Sequence, residues 1–428
     1  MTRPTAVEIR NITRLDNGLT VATAEMPHMT SVSVGLWVGI GARYEPGDLN
    51  GVCHFIEHMV FKGTGKRSAE EISNAVEGRG GYLNAFTSEE ISCFHARAGR
   101  QHFSEVLDVL ADMLLQPRLS PVDVRKEREV IKEEIAGCLD DPQHYVQEVL
   151  NAALWPDQPM GRPITGTPET LDSMDGQTLR DYLAAHYVAS NIVIAAAGNI
   201  THAEALRHVA KYAGRFSSGP RPGCPPAVVK QTAPVVRLLT RETEQTQAAL
   251  GIRTCSRHDP RRYAIRLLNV IIGENMSSRL FQSVREQHGL AYSIYSTPSF
   301  FADTGDLVIS AGIDTSKVAR ALRLICDELK RLRDHPPRAA EVRQARDYAI
   351  GQIELAREST DTQMNWLGEQ LIANGEFVSP RTIQRRISEV TPGQIQAVAR
   401  DFFRPERLNL ALISPLKSAR GLKKPLSL

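Results

Sequence analysis

The stretch Asp175-Gly-Gln-Thr-Leu-Arg-Asp-Tyr182, followed by His186-Tyr187 and the apolar run Asn191-Ile-Val-Ile-Ala195, decides how this chain is built. A similar stretch begins 217 positions later and reads Pro392-Gly-Gln-Ile-Gln-Ala397, then Phe402-Phe403, then Leu408-Asn-Leu-Ala-Leu412. In both copies a turn opens an amphipathic helix, and an apolar strand follows it. A repeat at half the chain length predicts that one domain occurs twice.

A second pair of matching segments supports the duplication. Thr30-Ser-Val-Ser-Val-Gly35 matches Thr246-Gln-Ala-Ala-Leu-Gly251 at a separation of 216 positions. Between the halves, residues 216–232 are rich in proline and glycine, which prevents a helix and favours an extended linker. We therefore predict an N-terminal domain over residues 1–215, a linker over 216–232 and a homologous C-terminal domain over 233–428.

The order of elements within each half predicts the fold class. Strand-like runs with alternating apolar residues, such as Val32 to Val38, precede helical stretches with apolar residues three and four apart. This order favours the α+β class, with two homologous domains that each have a largely antiparallel sheet and helices on one face.

Composition excludes several other classes of protein. Of the 428 residues, 42% are hydrophobic and 23% charged, which is typical of a folded globular protein rather than a disordered one. The net charge of +2 gives no reason to expect nucleic acid as a partner. No apolar stretch approaches the about 20 residues that span a bilayer, and the N-terminus lacks the apolar core of a signal peptide. Six cysteines without a C-x-x-C pair favour reduced thiols, so we predict a cytoplasmic protein of bacterial type with no membrane span.

A short histidine-containing segment, Asn50-Gly-Val-Cys-His54-Phe-Ile-Glu57-His58-Met-Val-Phe-Lys-Gly63, predicts a metal-binding helix. The spacing puts His54, Glu57 and His58 on one side of that helix. Two neutral imidazoles one turn apart can both bind a metal such as zinc, and the carboxylate between them can accept a proton from a metal-bound water. The alternative is a polar helix face whose histidines are solvated or packed in the core.

A third ligand is expected on the helix that Ser120-Pro121 opens. Glu127 and Glu134 are seven residues apart and lie on nearly one face of it, whereas Glu133 points about 100° away from Glu134. Acidic residues in such number are also typical of a solvated helix face, and the spacing alone leaves that alternative open.

These two segments resemble the inverzincin peptidases, the family that includes pitrilysin, insulin-degrading enzyme and the mitochondrial processing peptidase. Residues 51–64 are similar to the H-x-x-E-H signature over its whole length, and residues 127–134 to the downstream E-R-x-V-I-x-x-E segment. The resemblance implies one zinc ion per chain, held by His54, His58 and Glu134. It also implies Glu57 as general base and Glu127 as an acidic residue behind the ligands.

The resemblance extends to substrate-binding segments in both halves. Asn84, Ala85, Phe86 and Thr87 look like the family's active-site edge strand, where an extended peptide would add by main-chain hydrogen bonds. Arg285 and Tyr292 resemble the pair that binds the substrate and assists catalysis from the second domain across a cleft. Without the resemblance, these residues would be interpreted as an ordinary edge strand, a surface charge and a packed aromatic ring.

The predicted function is a zinc metalloendopeptidase that hydrolyses unfolded or short peptides held in extended form, with Glu57 activating the attacking water. The partners implied are a peptide substrate and a second copy of the chain in a homodimer, with a heterodimer as the alternative. The rival from another class is a non-catalytic core subunit, as some family members are. Loss of a ligand or of the base would favour that rival, and none is lost.

Overall fold

The first of two β-sheets has inner strands that are buried on both faces. The structure, a computed structural model, describes residues 9–426; residues 1–8, on which the prediction of no signal peptide rests in part, lie outside them. The strands of this sheet are β1 (Ile9–Arg14), β2 (Thr20–Glu25), β3 (Ser31–Val38), β4 (Tyr82–Thr87), β5 (Ser92–Gly99) and β6 (Ile192–Gly198). They lie in the order β1-β2-β6-β3-β5-β4 and are antiparallel except for the parallel pair β2 and β6.

The second sheet repeats five of these six strands in the same arrangement. Its order is β7-β11-β8-β10-β9, again with one parallel pair, β7 and β11. Position by position it matches β2-β6-β3-β5-β4, so the topology reproduces the internal repeat of the sequence. Its strands are β7 (Val235–Thr240), β8 (Thr246–Thr254), β9 (Ala291–Phe300), β10 (Gly305–Ile313) and β11 (Leu408–Ser414).

The helices of the first sequence half flank the first sheet, with one exception given below. Their starts follow ordinary capping chemistry: Ser68 caps one of them in a reciprocal capping box, and Asp141 and Asp175 cap two others. They are α1 (Val52–Val60), α2 (Ala69–Val76), α3 (Phe103–Leu115), α4 (Pro121–Asp140), α5 (Pro142–Leu154), α6 (Pro168–Ser173), α7 (Gly176–His186) and α8 (His202–Ala213).

The helices of the second half are α9 (Arg262–Asn269), α10 (Val318–Asp334), α11 (Ala339–Ala356), α12 (Thr360–Asn374), α13 (Pro380–Glu389) and α14 (Pro392–Phe402). Two segments with wider helical hydrogen bonding follow α9, at residues 270–274 and 281–287. None of the helices in the described residues is long and apolar enough to cross a bilayer. The predicted α+β class with largely antiparallel sheets is confirmed, but the helices are not confined to one face of each sheet as predicted, because a helix also packs on the other face.

In each sheet, one face is covered by a single helix that comes from the other half of the sequence. Helix α12 packs on β3 and β6 of the first sheet, where Met364 and Leu367 are buried beside Trp37. Helix α5 packs on β8 and β11 of the second sheet through Leu150 and Leu154. Each sheet is therefore sandwiched, with one layer supplied by a segment distant in sequence.

The compact units follow this exchange rather than the sequence halves. Within the described residues, the first unit comprises residues 9–135, 163–225 and 355–378, and the second comprises 136–162, 226–354 and 379–426. The division of the sequence into domains at 216–232 stays a prediction, and the exchanged segments were not part of it. All six cysteines are free thiols.

Candidate metal centre

Helix α1 is fixed at its N-terminus by a glycine. Gly51 has φ of 94°, in the left-handed region that favours glycine. A Cβ there would stand 2.7 Å from the carbonyl oxygen of Thr165, so both the backbone angle and the close approach exclude a side chain. The backbone turn at Gly51 therefore fixes the direction in which the helix runs.

A buried carboxylate caps the same helix end. Glu45, 2% exposed, accepts hydrogen bonds from the backbone N–H of Gly51 at 2.7 Å and of Cys53 at 2.9 Å. It also accepts one from the side chain of Asn50 at 3.0 Å. A negative group at a helix N-terminus satisfies free N–H groups and interacts favourably with the helix dipole. Sequence reasoning missed Glu45, because an acidic residue seven positions before the helix gives no capping signal.

One face of α1 is packed into the core. Five apolar side chains of this face are fully buried against the sheet: Val52, Phe55, Ile56, Met59 and Val60. Burial of a large aliphatic or aromatic side chain contributes about 1.5–3 kcal/mol, so this face determines the rotation of the helix. The opposite face carries His54, Glu57 and His58, as the spacing predicts.

Helix α4 brings a carboxylate to the two histidines. The Nε2 atom of His54 lies 3.7 Å from Oε1 of Glu134, and Nε2 of His58 lies 3.5 Å from Oε2 of the same residue. One ligand atom from each of the three lies within 4.8 Å of the others. Donor atoms around a tetrahedral ion with bonds of about 2.0–2.1 Å stand about 3.4 Å apart. The three side chains are thus at a separation that a single ion can bridge.

The second acidic residue of α4 lies behind the histidines. Glu127 is buried and accepts a hydrogen bond from Nδ1 of His58 at 2.9 Å. Its other oxygen lies 2.8 Å from the ammonium group of Lys62. A carboxylate on the far ring nitrogen fixes the tautomer of a ligating histidine and leaves Nε2 to bind the metal. Lys62 was not predicted as part of the site.

The two histidines differ in their electrostatic surroundings. Burial and the neighbouring His58 lower the pKa of His54 to about 4, although Glu134 opposes the shift. Burial also acts to lower the pKa of His58, but hydrogen bonds to Glu127 and Glu134 outweigh it and raise this pKa to about 9. In the metal-free protein at neutral pH, His54 is therefore a neutral donor and His58 carries a proton that a metal ion would displace.

Glu57 lies between the histidines in sequence and is held by the edge strand β4. The hydroxyl of Thr87 donates a hydrogen bond to its Oε2 at 2.6 Å. Burial raises the pKa of Glu57, and the Thr87 hydrogen bond opposes the shift. A partly desolvated carboxylate held in one orientation can act as a general base.

The donor set fits a divalent metal ion. It combines two imidazoles and one carboxylate with a carboxylate partner behind one imidazole. A four-coordinate ion held by three protein ligands has one position left for a further ligand. These ligand types are the ones that zinc accepts in catalytic sites.

Comparisons with known proteins place the chain among named relatives. A protein of Streptomyces coelicolor described as an uncharacterized zinc protease is 38% identical over 415 residues, which cover 96% of this chain and 90% of that protein. A protein of Bacillus subtilis with the same description is 35% identical over 400 residues, or 93% and 97% of the two chains. The family model "Insulinase (Peptidase family M16)" matches residues 20–168, and "Peptidase M16 inactive domain" matches residues 173–348.

The chain belongs to peptidase family M16. The family to which the sequence motifs pointed is thereby confirmed. A crystal structure of a protease from Helicobacter pylori matches this M16 chain with a TM-score of 0.89 at 18% identity and covers 96% of this chain and all of that one. A Pseudomonas fluorescens structure titled as a peptidase M16 inactive domain gives 0.88, also at 18% identity. At that identity the likeness shows the fold alone.

Strand β4 of this M16 chain is an edge strand, as its sequence suggested. It is last in the sheet order and pairs with β5, so its other side is open for another strand. The N–H of Ala85 donates to the side-chain oxygen of Asn84 at 2.8 Å. The exposed ring of Phe86 stacks edge-on against Trp37, with the ring centroids 5.6 Å apart. Thr87, which the sequence suggested as a substrate contact, is bonded to Glu57.

Arg285 and Tyr292 lie together in the second unit of the M16 fold. The guanidinium group of Arg285 lies 5.6 Å from the ring centroid of Tyr292 and 4.7 Å from that of Phe281. Tyr292 is 75% exposed and stands near the start of β9, the edge strand that corresponds to β4. Gly289, with φ of 56°, separates the preceding helical segment from this strand. The structure thus brings these two predicted residues into contact with each other.

Proposed function

We propose that this chain is a zinc metalloendopeptidase that hydrolyses unfolded or short peptides bound in extended form. The observation that carries the proposal is the grouping of His54, His58 and Glu134 within 4.8 Å, with Glu57 on the same helix face. A solvated polar helix face would not need a buried carboxylate behind one of its histidines.

His54, His58 and Glu134 would hold one zinc ion per chain. When bound, zinc supplies Lewis-acid chemistry, because it lowers the pKa of water and polarises a carbonyl group. Glu127 orients His58 through the 2.9 Å hydrogen bond and keeps the ring in the tautomer that offers Nε2.

Glu57 would act as the general base. Its carboxylate takes the proton of the attacking water and can deliver it to the leaving amine, which completes hydrolysis without another acid. Thr87 holds one oxygen of this carboxylate, so the other is free to face the water. The raised pKa of Glu57 makes it a stronger base than an exposed glutamate.

The peptide would bind along β4. An extended chain added to this edge gains main-chain hydrogen bonds, which explains how unrelated sequences could be accepted. The N–H of Ala85 would exchange its bond to Asn84 for a bond to a substrate carbonyl. Arg285 would bind a substrate carbonyl or carboxylate, and Tyr292 would stabilise the oxyanion of the tetrahedral state.

The test is hydrolysis of a library of unstructured peptides by the zinc-loaded protein, with cleavage sites identified by mass spectrometry. We expect cleavage that a chelator abolishes and added zinc restores. The variant His58→Ala should lose zinc by metal analysis, with His144→Ala, at an exposed histidine of α5, as the matched control. Zinc binding without cleavage by the wild-type protein would instead favour a non-catalytic or heterodimeric subunit.

A further inference from the structure

The second unit contains a cavity whose lining includes none of the residues of the candidate metal centre. Its volume is about 480 Å³, within the range of small-molecule pockets. It lies where α5 ends, beside the segment that leads into β7 and the end of β8. Its lining residues are Ala153, Pro156, Asp157, Gln158, Val228, Lys230, Gln231, Val235 and Arg253.

The most unusual lining residue is Arg253, which is only 4% exposed. The groups that its guanidinium contacts are neutral: it donates to the backbone carbonyl of Leu154 and to the side-chain oxygen of Gln231. It also lies over the ring of Trp155, 5.6 Å from the ring centroid. Its Nε is buried without a hydrogen-bond partner, and Nη1 and Nη2 each carry a second N–H.

Two further cationic groups, Arg407 and Lys230, add positive charge around Arg253. Burial lowers its pKa to about 10, and Arg407 contributes to the shift by repulsion. Lys230 adds a second cation to the lining, whereas Asp157 is the one acidic group among the lining residues. A buried charge is costly unless a counter-charge or several hydrogen bonds compensate it. The carbonyl at the C-terminal end of α5 compensates part of this cost.

The contacts that hold Arg253 are themselves fixed. The side-chain oxygen of Gln231 also accepts from Asn409 at 3.1 Å, and its nitrogen donates to the carbonyls of Ala233 and Leu408. A guanidinium fixed at the wall of a cavity is preorganised for an anion, since little side-chain entropy remains to be lost on binding.

The shape and lining restrict the ligand. Part of the cavity wall is apolar, and the cationic side chains of Arg253 and Lys230 line the same cavity. The apolar part is formed by Ala153, Pro156, Val228 and Val235. We propose that this cavity binds a small organic anion whose carboxylate or phosphate group pairs with Arg253 and Lys230 while its apolar part packs against these side chains. The site is separate from the proposed peptidase chemistry and does not depend on metal.

The experiment is calorimetric titration of the full-length protein at constant ionic strength with hexanoate, hexyl phosphate, inorganic phosphate and neutral hexanamide. We expect both hexyl anions to bind and hexanamide not to bind. The affinities for hexanoate and hexyl phosphate are then compared, and the tighter binding of one identifies the preferred ligand as a carboxylate or a phosphate. Equal responses to hexanoate and hexanamide, or no binding of either hexyl anion, would overturn the proposal.

Three variants assign the binding to this cavity. Arg253→Gln should weaken anion binding about tenfold or more, the size of a charged hydrogen bond. Lys230→Gln should weaken it, and Asp157→Asn strengthen it, by about two- to fivefold each. Asn tolerates the φ of 56° at position 157, so this variant keeps the backbone and serves if Arg253→Gln does not fold. Arg237→Gln, on an exposed position of β7 outside the lining, is the control and should bind unchanged. An unchanged affinity in both Lys230→Gln and Asp157→Asn would refute the site.

Discussion

Helices α1 and α9 occupy corresponding places beside two sheets of the same strand order, yet they carry different chemistry. Helix α1 presents two histidines and a glutamate opposite its buried face. Helix α9 reads Arg-Tyr-Ala-Ile-Arg-Leu-Leu-Asn and contains no histidine. The edge strands differ as well: β4 ends at Thr87, which holds the carboxylate of Glu57, whereas β9 carries the exposed Tyr292 near its start, in contact with Arg285. The same strand order therefore occurs twice, and the two copies differ in the side chains on the corresponding helix and edge strand.

The comparison also shows what the two units share beyond topology. In each, the face of the sheet away from its own helices is covered by a helix from the other sequence half, α12 on the first sheet and α5 on the second. The apolar residues of these faces, such as Trp37 and Val193, are almost fully buried. Neither sequence half contains all the layers that its sheet needs.

The largest expected effect comes from separating the halves. Residues 1–232 alone lack α12, so the apolar cluster that contains Trp37 and Val193 would face water. We expect this fragment to aggregate or to bind a hydrophobic dye, as measured by size-exclusion chromatography and fluorescence. Attaching residues 355–378 through a flexible linker should lower the dye binding, and the dye binding that remains should come from the apolar face of α5, which has lost the second sheet. Cooperative unfolding of the unextended fragment would contradict the role given to α12.

Removal of the proposed base tests the chemical difference between α1 and α9. Glu57→Gln should lower peptide hydrolysis by about 10²- to 10⁴-fold, because an amide cannot accept the proton. Zinc content should stay near one ion per chain, since Glu57 is not among the three grouped ligands. The matched control is Glu274→Gln in the second unit, where the carboxylate accepts bonds from Arg266 and Asn269. Equal activity of Glu57→Gln and the wild-type protein would refute the proposed mechanism.

Sequence patterns predicted the parts of this molecule that depend on local periodicity. The duplication, the α+β class, the helix that carries His54 and His58, and the position of β4 at a sheet edge all follow from spacing or from motif resemblance. Spacing also put Glu127 and Glu134 on one side of α4, although it could not distinguish ligands from a solvated face.

Other features depend on which surfaces meet, and local pattern does not encode this. In the sequence, the apolar faces of α5 and α12 indicate that each helix is buried, but they do not indicate which sheet each helix packs against. Glu45 contacts the start of α1 and Lys62 contacts Glu127. No spacing rule links these residues to their partners, so in the sequence they resemble ordinary surface charges. The homodimer and the assignment of Arg285 and Tyr292 to substrate stay predictions.

The packing of the exchanged helices can be compared through one glycine in each unit. A Cβ on Gly368 of α12 would meet Nε1 of Trp37 at 2.1 Å, and that indole is held by Met364 on one side and Phe86 on the other. A Cβ on Gly251 of β8 would meet the side-chain ends of Leu154 at 2.8 Å and Leu150 at 3.1 Å.

We expect Gly368→Ala to lower the free energy of unfolding by about 1–3 kcal/mol, the cost of overpacking, despite the better helix propensity of alanine. Gly251→Ala should cost less, because leucine side chains can adjust more easily than a held indole. Urea unfolding of the two variants measures the difference. A larger loss in Gly251→Ala would mean that the exchanged helices are not packed as the contacts indicate.

The smallest expected effect concerns the proton on His58, for which α9 offers no counterpart. Its pKa of about 9 in the metal-free protein means that zinc binding at pH 7 should release about one proton, whereas His54, with a pKa of about 4, should release none. Calorimetry in buffers of different ionisation enthalpy counts this proton.

The same proton makes the stability of the metal-free protein depend on pH. The pKa of His58 is raised from about 6.5 in the unfolded chain, so protonated His58 stabilises the fold fully below pH 6.5. This stabilisation should be lost as the pH rises through about 9. Glu127→Gln removes the hydrogen-bonded carboxylate that raises this pKa, so the variant should release less than one proton and show a flatter stability profile over that range. Release of a full proton by the variant would show that Glu127 does not control the charge of His58.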